Sequence, residues 1–185
     1  DRPLWERVYH NPVAFLRKVE RPQLNAVTND RYFLDLYDRV MREFDAYMSE
    51  ETPWFKTHYP QRDKELIAYL SFEFGLHESL PVYAGGLGIL SGDHLKEASD
   101  MGLPLVGIGF YYTQGYFSQK ITEDGWQETR NFLLNYADLP VVPLATPDGK
   151  PLAISVTLAG RKVSARILEV RVGRIPLYLL DTDID

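Results

Sequence analysis

Two hydrophobic patterns divide the chain, and the change falls near residue 60. Before it, apolar residues recur at helical spacing. Residues 11–19 read as a short helix, and Asn29 or Asp30 can serve as the N-cap of a longer one. Along that longer helix Leu34, Tyr37, Val40, Met41, Phe44 and Met48 form one stripe. Its simplest reading is packing against a core or an interface. Thr52-Pro53 ends the helix, and Trp54-Phe55 opens a loop that runs through Pro60.

After residue 60 the apolar residues crowd into short runs. Leu66-Ile67-Ala68-Tyr69-Leu70-Ser71 suits a buried strand of a parallel sheet. A loop follows from Glu73 to about Gly86. Residues 87–101 then read as a helix with Leu87, Leu90, Leu95, Ala98 and Met101 on one side. Gly102 fits the left-handed residue that closes a helix, and Pro104 prevents continuation. Residues 104–112 form a second buried strand. Strand, helix, strand at this spacing predicts a right-handed βαβ unit. Beyond Gln114 the period drifts towards two. Runs over 151–158, 161–172 and 175–180 are separated by turn signals at Asp148-Gly149, Ala159-Gly160 and Gly173. They predict an antiparallel meander that serves as scaffold. The expected class is α/β: a helical segment over 1–60, then a βαβ core with an antiparallel extension over 61–185, as one structural domain.

Composition narrows the function more than the fold. The chain has 185 residues, 45% hydrophobic and 25% charged, as expected of a globular domain with a sizeable core. Its net charge of -6 disfavours a nucleic-acid partner, which would need clustered Lys and Arg. With no Cys, disulfides and thiolate catalysis are excluded. No segment reaches about 18 consecutive apolar residues, so no spanning helix is expected. The start, Asp1-Arg2-Pro3-Leu4-Trp5, has neither a signal-peptide core nor an initiator Met, which suggests a piece of something longer.

The segment richest in chemistry is Tyr83-Ala84-Gly85-Gly86-Leu87-Gly88-Ile89-Leu90. Its glycines stand at the start of a helix, where unpaired N–H groups carry partial positive charge. Without a Cβ, the backbone can approach an anion closely. The combination makes a phosphate site. The competing reading is a tight loop whose glycines only permit a turn. A dinucleotide fingerprint is disfavoured, because the next strand ends in Gly109-Phe110-Tyr111-Tyr112 without the acidic residue that holds a ribose. A Walker A motif fails because no Gly-Lys-Ser/Thr follows.

Tyr69-Leu70-Ser71-Phe72-Glu73-Phe74, Gly85-Gly86-Leu87-Gly88, Gly102-Leu103-Pro104, Gly107-Ile108-Gly109-Phe110-Tyr111-Tyr112 and Gly115-Tyr116-Phe117 together resemble the glycogen/α-glucan phosphorylases. Glu73-Phe74-Gly75-Leu76-His77-Glu78-Ser79-Leu80-Pro81 and Gly92-Asp93-His94-Leu95-Lys96 point to the short bacterial and archaeal branch. The resemblance implies transfer of a glucosyl unit from an α-1,4-glucan to inorganic phosphate, giving glucose 1-phosphate. It also implies pyridoxal 5′-phosphate in the complete enzyme, a cytoplasmic setting, and two Rossmann-like domains of the glycosyltransferase-B type facing a cleft. This chain would belong to the first domain and would need the C-terminal domain of the same enzyme. By the same resemblance, Gly85 and Gly86 belong to the loop whose amides meet a phosphoryl group, Leu87 touches the glucosyl unit, and Glu73 lies near that site.

The chain departs from the animal-type pattern at Gly75, where a Tyr stands beside the cofactor, and at Glu78, where a basic residue stands. No cofactor contact is carried over to them. The Schiff-base lysine belongs to the second domain, so no catalytic residue is assigned here, and the chain alone is expected to be inactive. His77 is a candidate substrate contact in the loop facing the cleft, whereas His94 reads as a packed histidine. His10 and His58 have no partners at ligand spacing, so no metal site is expected. Tyr111, Tyr112, Tyr116, Phe117 and Trp126 can stack on sugars or pack in a core. Two rivals stay open. Sugar-nucleotide glucan synthases share the fold, but they carry a lysine where Tyr83 stands. A non-enzymatic glucan-binding module would need aromatic faces and no phosphate site. No membrane partner is expected, and self-association is left open.

Overall fold

The computed structural model describes every residue except Asp63, Phe132 and Asp185. Two short helices begin it, α1 (Arg2–Arg7) and α2 (Pro12–Lys18). Asp1 caps the first through Leu4 N–H at 2.9 Å, and Asn11 caps the second through Val13 and Ala14 N–H, both at 3.0 Å. Leu4, Val8 and Ala14 make a small cluster between them. Asn11 also donates to Asp138 O at 2.7 Å, and Arg17 pairs with the Asp138 carboxylate at 2.6 Å, which ties α2 to the rest of the molecule.

Helices α3 (Arg21–Val27) and α4 (Arg31–Met48) follow. Asp30 rather than Asn29 caps α4, accepting from Tyr32 and Phe33 N–H at 3.0 and 3.2 Å. The expected stripe is present on α4, but it packs into no core: the helix has no buried residue, and Val40 and Phe44 are 53% and 51% exposed. The reason is the way α4 is anchored. It is held near its C-terminal end, where Tyr47 O–H lies 2.5 Å from Ser99 Oγ and 2.8 Å from Asp100 Oδ1. Arg174 closes this latch, donating to Tyr47 O, to Ser99 O at 2.9 Å and to Glu50 at 2.7 Å. A short helix, α5 (Trp54–His58), occupies the expected loop. Pro53 introduces it and Phe55 is buried, so the turn has an apolar anchor.

The βαβ unit consists of β1 (Ile67–Leu70), α6 (Gly86–Met101) and β2 (Leu105–Phe110). The two strands are adjacent and parallel, with Tyr69 opposite Gly107. Gly102 ends α6 in the left-handed region at φ 66°, and Leu103 N–H returns to Ala98 O at 2.9 Å. Next come a separate hairpin of β3 (Ser118–Ile121) and β4 (Gln127–Arg130), the two-residue β5 (Val142–Pro143), and the meander β6 (Ala153–Leu158), β7 (Arg161–Val172) and β8 (Ile175–Asp181). The β6–β7 turn carries two positive-φ residues, Ala159 and Gly160.

The meander continues the core sheet and is not merely attached to it. Strand β8 pairs in parallel with β2, giving the order β1-β2-β8-β7-β5 with β6 also on β7. The result is a mixed sheet with helices, an α/β class. Leu168, Val170, Ile175, Leu177 and Leu179 pack one face against Leu95 and Ala98 of α6 and against Phe74, Leu80 and Val82 of the connecting loop. Each fully buried Leu contributes about 1.5–3 kcal/mol relative to exposure.

Two burial expectations fail. Leu66 and Leu70 are 72% and 70% exposed, because β1 is the terminal strand and one sheet face is bare. On α6 the buried positions are Gly88, Ser91, Gly92, Leu95, Ala98 and Ser99, whereas Leu87 and Leu90 face outward. Small residues dominate that face because a backbone segment crosses it closely. At the sheet end Asp181 is fully buried, paired with Arg166 at 2.7 Å and bonded by Tyr136 O–H. Tyr111 stacks on Tyr136 at 4.8 Å, and burial, aided by the Asp181 charge, pushes its phenol up to about 12. Among the described residues no helix is long and apolar enough to cross a membrane.

Candidate functional site

The site begins where β1 ends. Ser71 Oγ donates to Glu73 O at 2.9 Å, which turns the chain out of the sheet. Phe74 then inserts into the core at 1% exposure and fixes the turn. Gly75 lies directly on α6 and donates to Gly88 O at 2.7 Å. A Cβ at Gly92 would come within 3.0 Å of the Gly75 carbonyl, and one at Gly88 would come as close to Tyr83 Cβ. The departure at Gly75 has the same physical basis: its Cβ would stand 3.0–3.1 Å from Ile89 and Gly88 atoms. Gly75, Gly88 and Gly92 therefore let loop and helix touch.

Gly85 and Gly86 differ from these three. Among the described residues, neither has an atom beyond its chain neighbours and the adjoining helix backbone within 4 Å of where a Cβ would be, and neither has positive φ. Their lack of a side chain leaves the helix mouth open. Glu73 reaches this mouth: its Oε2 accepts from Ala84 N–H at 3.2 Å and from Gly85 N–H at 3.4 Å. The first helical bond is Ile89 N–H to Gly85 O at 3.2 Å. Gly86, Leu87 and Gly88 N–H precede it and have no partner among the described residues. Glu73 thus occupies the outer amides and the helix keeps three inner donors free.

Beside the mouth, at the carboxyl ends of β1 and β2, lies a crevice of about 240 Å³ lined by Phe72, Glu73, Ala84, Tyr112, Gln114 and Tyr116. Tyr112 O–H donates to Phe72 O at 2.9 Å, which joins the two strand ends. Burial, with the Glu73 charge, raises the Tyr112 phenol above its ordinary value. In open parallel sheets this is where ligands bind. A sugar could lie on the aromatic faces while an anion meets the amides.

Glu73, Gly85, Gly86 and Leu87 are brought together. His77 is not with them: it lines a separate groove with Leu80, Lys96 and Arg171. Ser79 N–H donates to His77 Nδ1 at 3.1 Å, so the neutral ring carries its proton on Nε2. His94 packs on Tyr69, with centroids 4.6 Å apart. Among the described residues no three His, Cys, Asp or Glu side chains could hold a metal. The sequence left Tyr112 between stacking on a sugar and packing in a core; the structure puts it in the lining of the crevice, just past a parallel strand. The packing role of Gly88 and Gly92 had no signal in the letters.

Residues 1–80 match a family described as a protein of unknown function, DUF3417. Over 98% of its length the chain is 46% identical to the maltodextrin phosphorylase of Thermococcus litoralis, covering 22% of that protein. Over its whole length it is 42% identical to the glycogen phosphorylase of Mycobacterium tuberculosis, covering 22%, and 40% identical to that of Aquifex aeolicus, covering 26%. The chain spans about a fifth to a quarter of the length of these relatives. With similarity this high across its whole length, the chain belongs to the glycogen/maltodextrin phosphorylase family and corresponds to an N-terminal portion of its members.

Proposed function

We propose that the chain forms the glycine-loop wall of the active cleft of an α-glucan phosphorylase. The complete enzyme would move the terminal glucosyl unit of an α-1,4-glucan onto inorganic phosphate: a phosphate oxygen bonds to C1, and the glycosidic oxygen leaves with a proton as the shortened glucan. The observation that carries this reading is the trio of free amides at Gly86, Leu87 and Gly88, beside an aromatic crevice at the strand ends. Those amides and the α6 dipole would hold the phosphate, with roughly half a positive charge at the helix mouth. Leu87, 53% exposed at that mouth, would press on the glucosyl ring. Glu73 would hold the loop in the shape that presents the amides. The sheet would be the Rossmann-like first half of a two-domain glycosyltransferase-B fold working in the cytoplasm.

The family reading includes pyridoxal 5′-phosphate, which supplies proton transfer through its own phosphate. This chain does not offer its imine partner. Every lysine among the described residues is exposed, and none lines the crevice. The cofactor lysine would come from the facing domain, and no step of the reaction is routed through this chain's lysines.

The test is to assay the complete polypeptide for glucose 1-phosphate release from maltodextrin and phosphate, beside glucan elongation from a sugar nucleotide. Phosphorolysis without elongation is expected. Elongation without phosphorolysis would replace this reading with a synthase, and neither activity, with glucan still bound, would leave a binding module.

A further inference from the structure

One wall of the crevice is the segment that follows β2, where Tyr112, Gln114 and Tyr116 line it. Thr113 stands between the first two and does not line it. Its Oγ1 donates instead to the Asp183 carboxylate at 3.0 Å, and its carbonyl accepts from Leu134 N–H at 2.9 Å. Asp183 is held in turn by the buried ion pair at the sheet end. Its N–H donates to Asp181 Oδ1 at 3.0 Å, and its carbonyl accepts from Arg166 at 3.2 Å. Asp181 Oδ2 accepts from Arg166 Nε at 2.7 Å and from the Tyr136 O–H, so both carboxylate oxygens are used. Arg166 also donates to the Tyr136 hydroxyl oxygen at 2.9 Å, and the Tyr136 ring stacks on Tyr111, the residue before Tyr112.

A buried ion pair is a poor source of stability, because desolvating two charges offsets their attraction. What it supplies is direction, since a guanidinium and a carboxylate bond in few geometries. Asp181, Arg166 and Tyr136 do not line the crevice, so they meet no ligand there. They reach it through Asp183 and Thr113, which fix the backbone between two lining side chains. The free amides of Gly86, Leu87 and Gly88 belong to α6 and lie outside this chain of bonds.

We propose that Asp181, Arg166 and Tyr136 are positioning residues for the glucan. Through Asp183 and Thr113 they hold Tyr112, Gln114 and Tyr116 at the spacing that receives a sugar ring beside the helix mouth. A binding wall must be held to within a fraction of an ångström by groups behind it. The network therefore governs glucan binding and leaves the anion at the helix mouth unaffected. The inference rests on the proposed function for placing the glucan in the crevice.

The complete polypeptide carrying Thr113→Val tests it, because valine keeps the shape and removes the hydroxyl that reaches Asp183. Maltoheptaose affinity, measured by calorimetry, should weaken at least about fivefold, the scale of one lost hydrogen bond. The KM for maltodextrin should rise with it, while the KM for phosphate stays within about twofold. Thr113→Ser keeps the hydroxyl and should retain the native values. Tyr136→Phe keeps the stack on Tyr111, loses the bond to Asp181, and should weaken glucan binding in the same way. Val172→Ala, a core truncation outside the network, should lower the melting temperature and leave glucan affinity unchanged. Native glucan affinity in folded Thr113→Val overturns the proposal, and this variant decides alone if Tyr136→Phe does not fold. An equal loss for glucan and phosphate, or a Ser variant as weak as the Val variant, also overturns it. If the native polypeptide binds glucan without phosphorolysis, the proposed function fails and the affinity series still decides this inference. If it binds no glucan, both fail.

Discussion

The mouth of α6 and its next two turns carry the same residue type for opposite reasons. At the mouth, Gly85 and Gly86 have empty space where a side chain would be. One and two turns on, Gly88 and Gly92 have the Tyr83 Cβ and the Gly75 backbone in that place. The first pair keeps the protein away from the helix end, and the second lets the protein close on the helix side. Changing one pair should alter what the helix end can bind, and changing the other should alter whether the loop and helix fit at all. The comparison therefore separates function from stability within about two helical turns.

On the stability scale the largest effect belongs to Gly92. A methyl there overlaps the Gly75 carbonyl, a backbone group that cannot rotate away. Gly92→Ala should cost about 3 kcal/mol, the upper end of ordinary overpacking. That corresponds to a melting temperature lower by roughly 6–12 °C for a domain of this size. A loss under about 1 kcal/mol would show that the crossing is loose and would dissolve the contrast between the two glycine pairs.

Glu73 comes next, because it links the two regions. Glu73→Ala removes the acceptor of the Ala84 and Gly85 amides and should cost about 1 kcal/mol, since water can partly replace it. Glu73→Gln keeps an acceptor oxygen and should recover most of that loss. A Gln variant as unstable as the Ala variant would mean that charge, not the bond to the loop, is what Glu73 contributes. Gly86→Ala should change stability least, within about 0.5 kcal/mol, because its methyl meets nothing and its backbone is not left-handed. A large loss there would mean that the mouth is closed in solution.

Local signals in the sequence were legible. Gly102 stands where capping chemistry puts it, and the choice between Asn29 and Asp30 needed only the side-chain bonds. The parallel pairing of β1 and β2 followed from their runs and the helix between them. What stayed hidden depends on partners distant in sequence. The letters of 66–71 read as a buried strand because they are apolar, yet burial needs a neighbour on each side, and β1 has one. The parallel join of β8 to β2 spans the hairpin and the meander, and no periodicity encodes it. The stripe on α4 is real, but the sequence cannot show that α4 is anchored through Tyr47 and buries no residue. The glycine loop was found from its letters, whereas its division into open and packed glycines is set by Tyr83 and Gly75.

By the proposed function, the open mouth of α6 receives phosphate in the complete enzyme. The direct measurement is phosphorolysis by the complete enzyme carrying Gly86→Val, with its unfolding temperature recorded alongside. Because a Cβ at Gly86 meets no protein atom, the fold should survive. A branched side chain would then stand where the anion binds, and kcat/KM for phosphate should fall by at least about a hundredfold, the scale of losing an oxyanion donor. Near-normal phosphorolysis by a variant with unchanged unfolding temperature would contradict the account and leave the glycines of the mouth without a role in the chemistry.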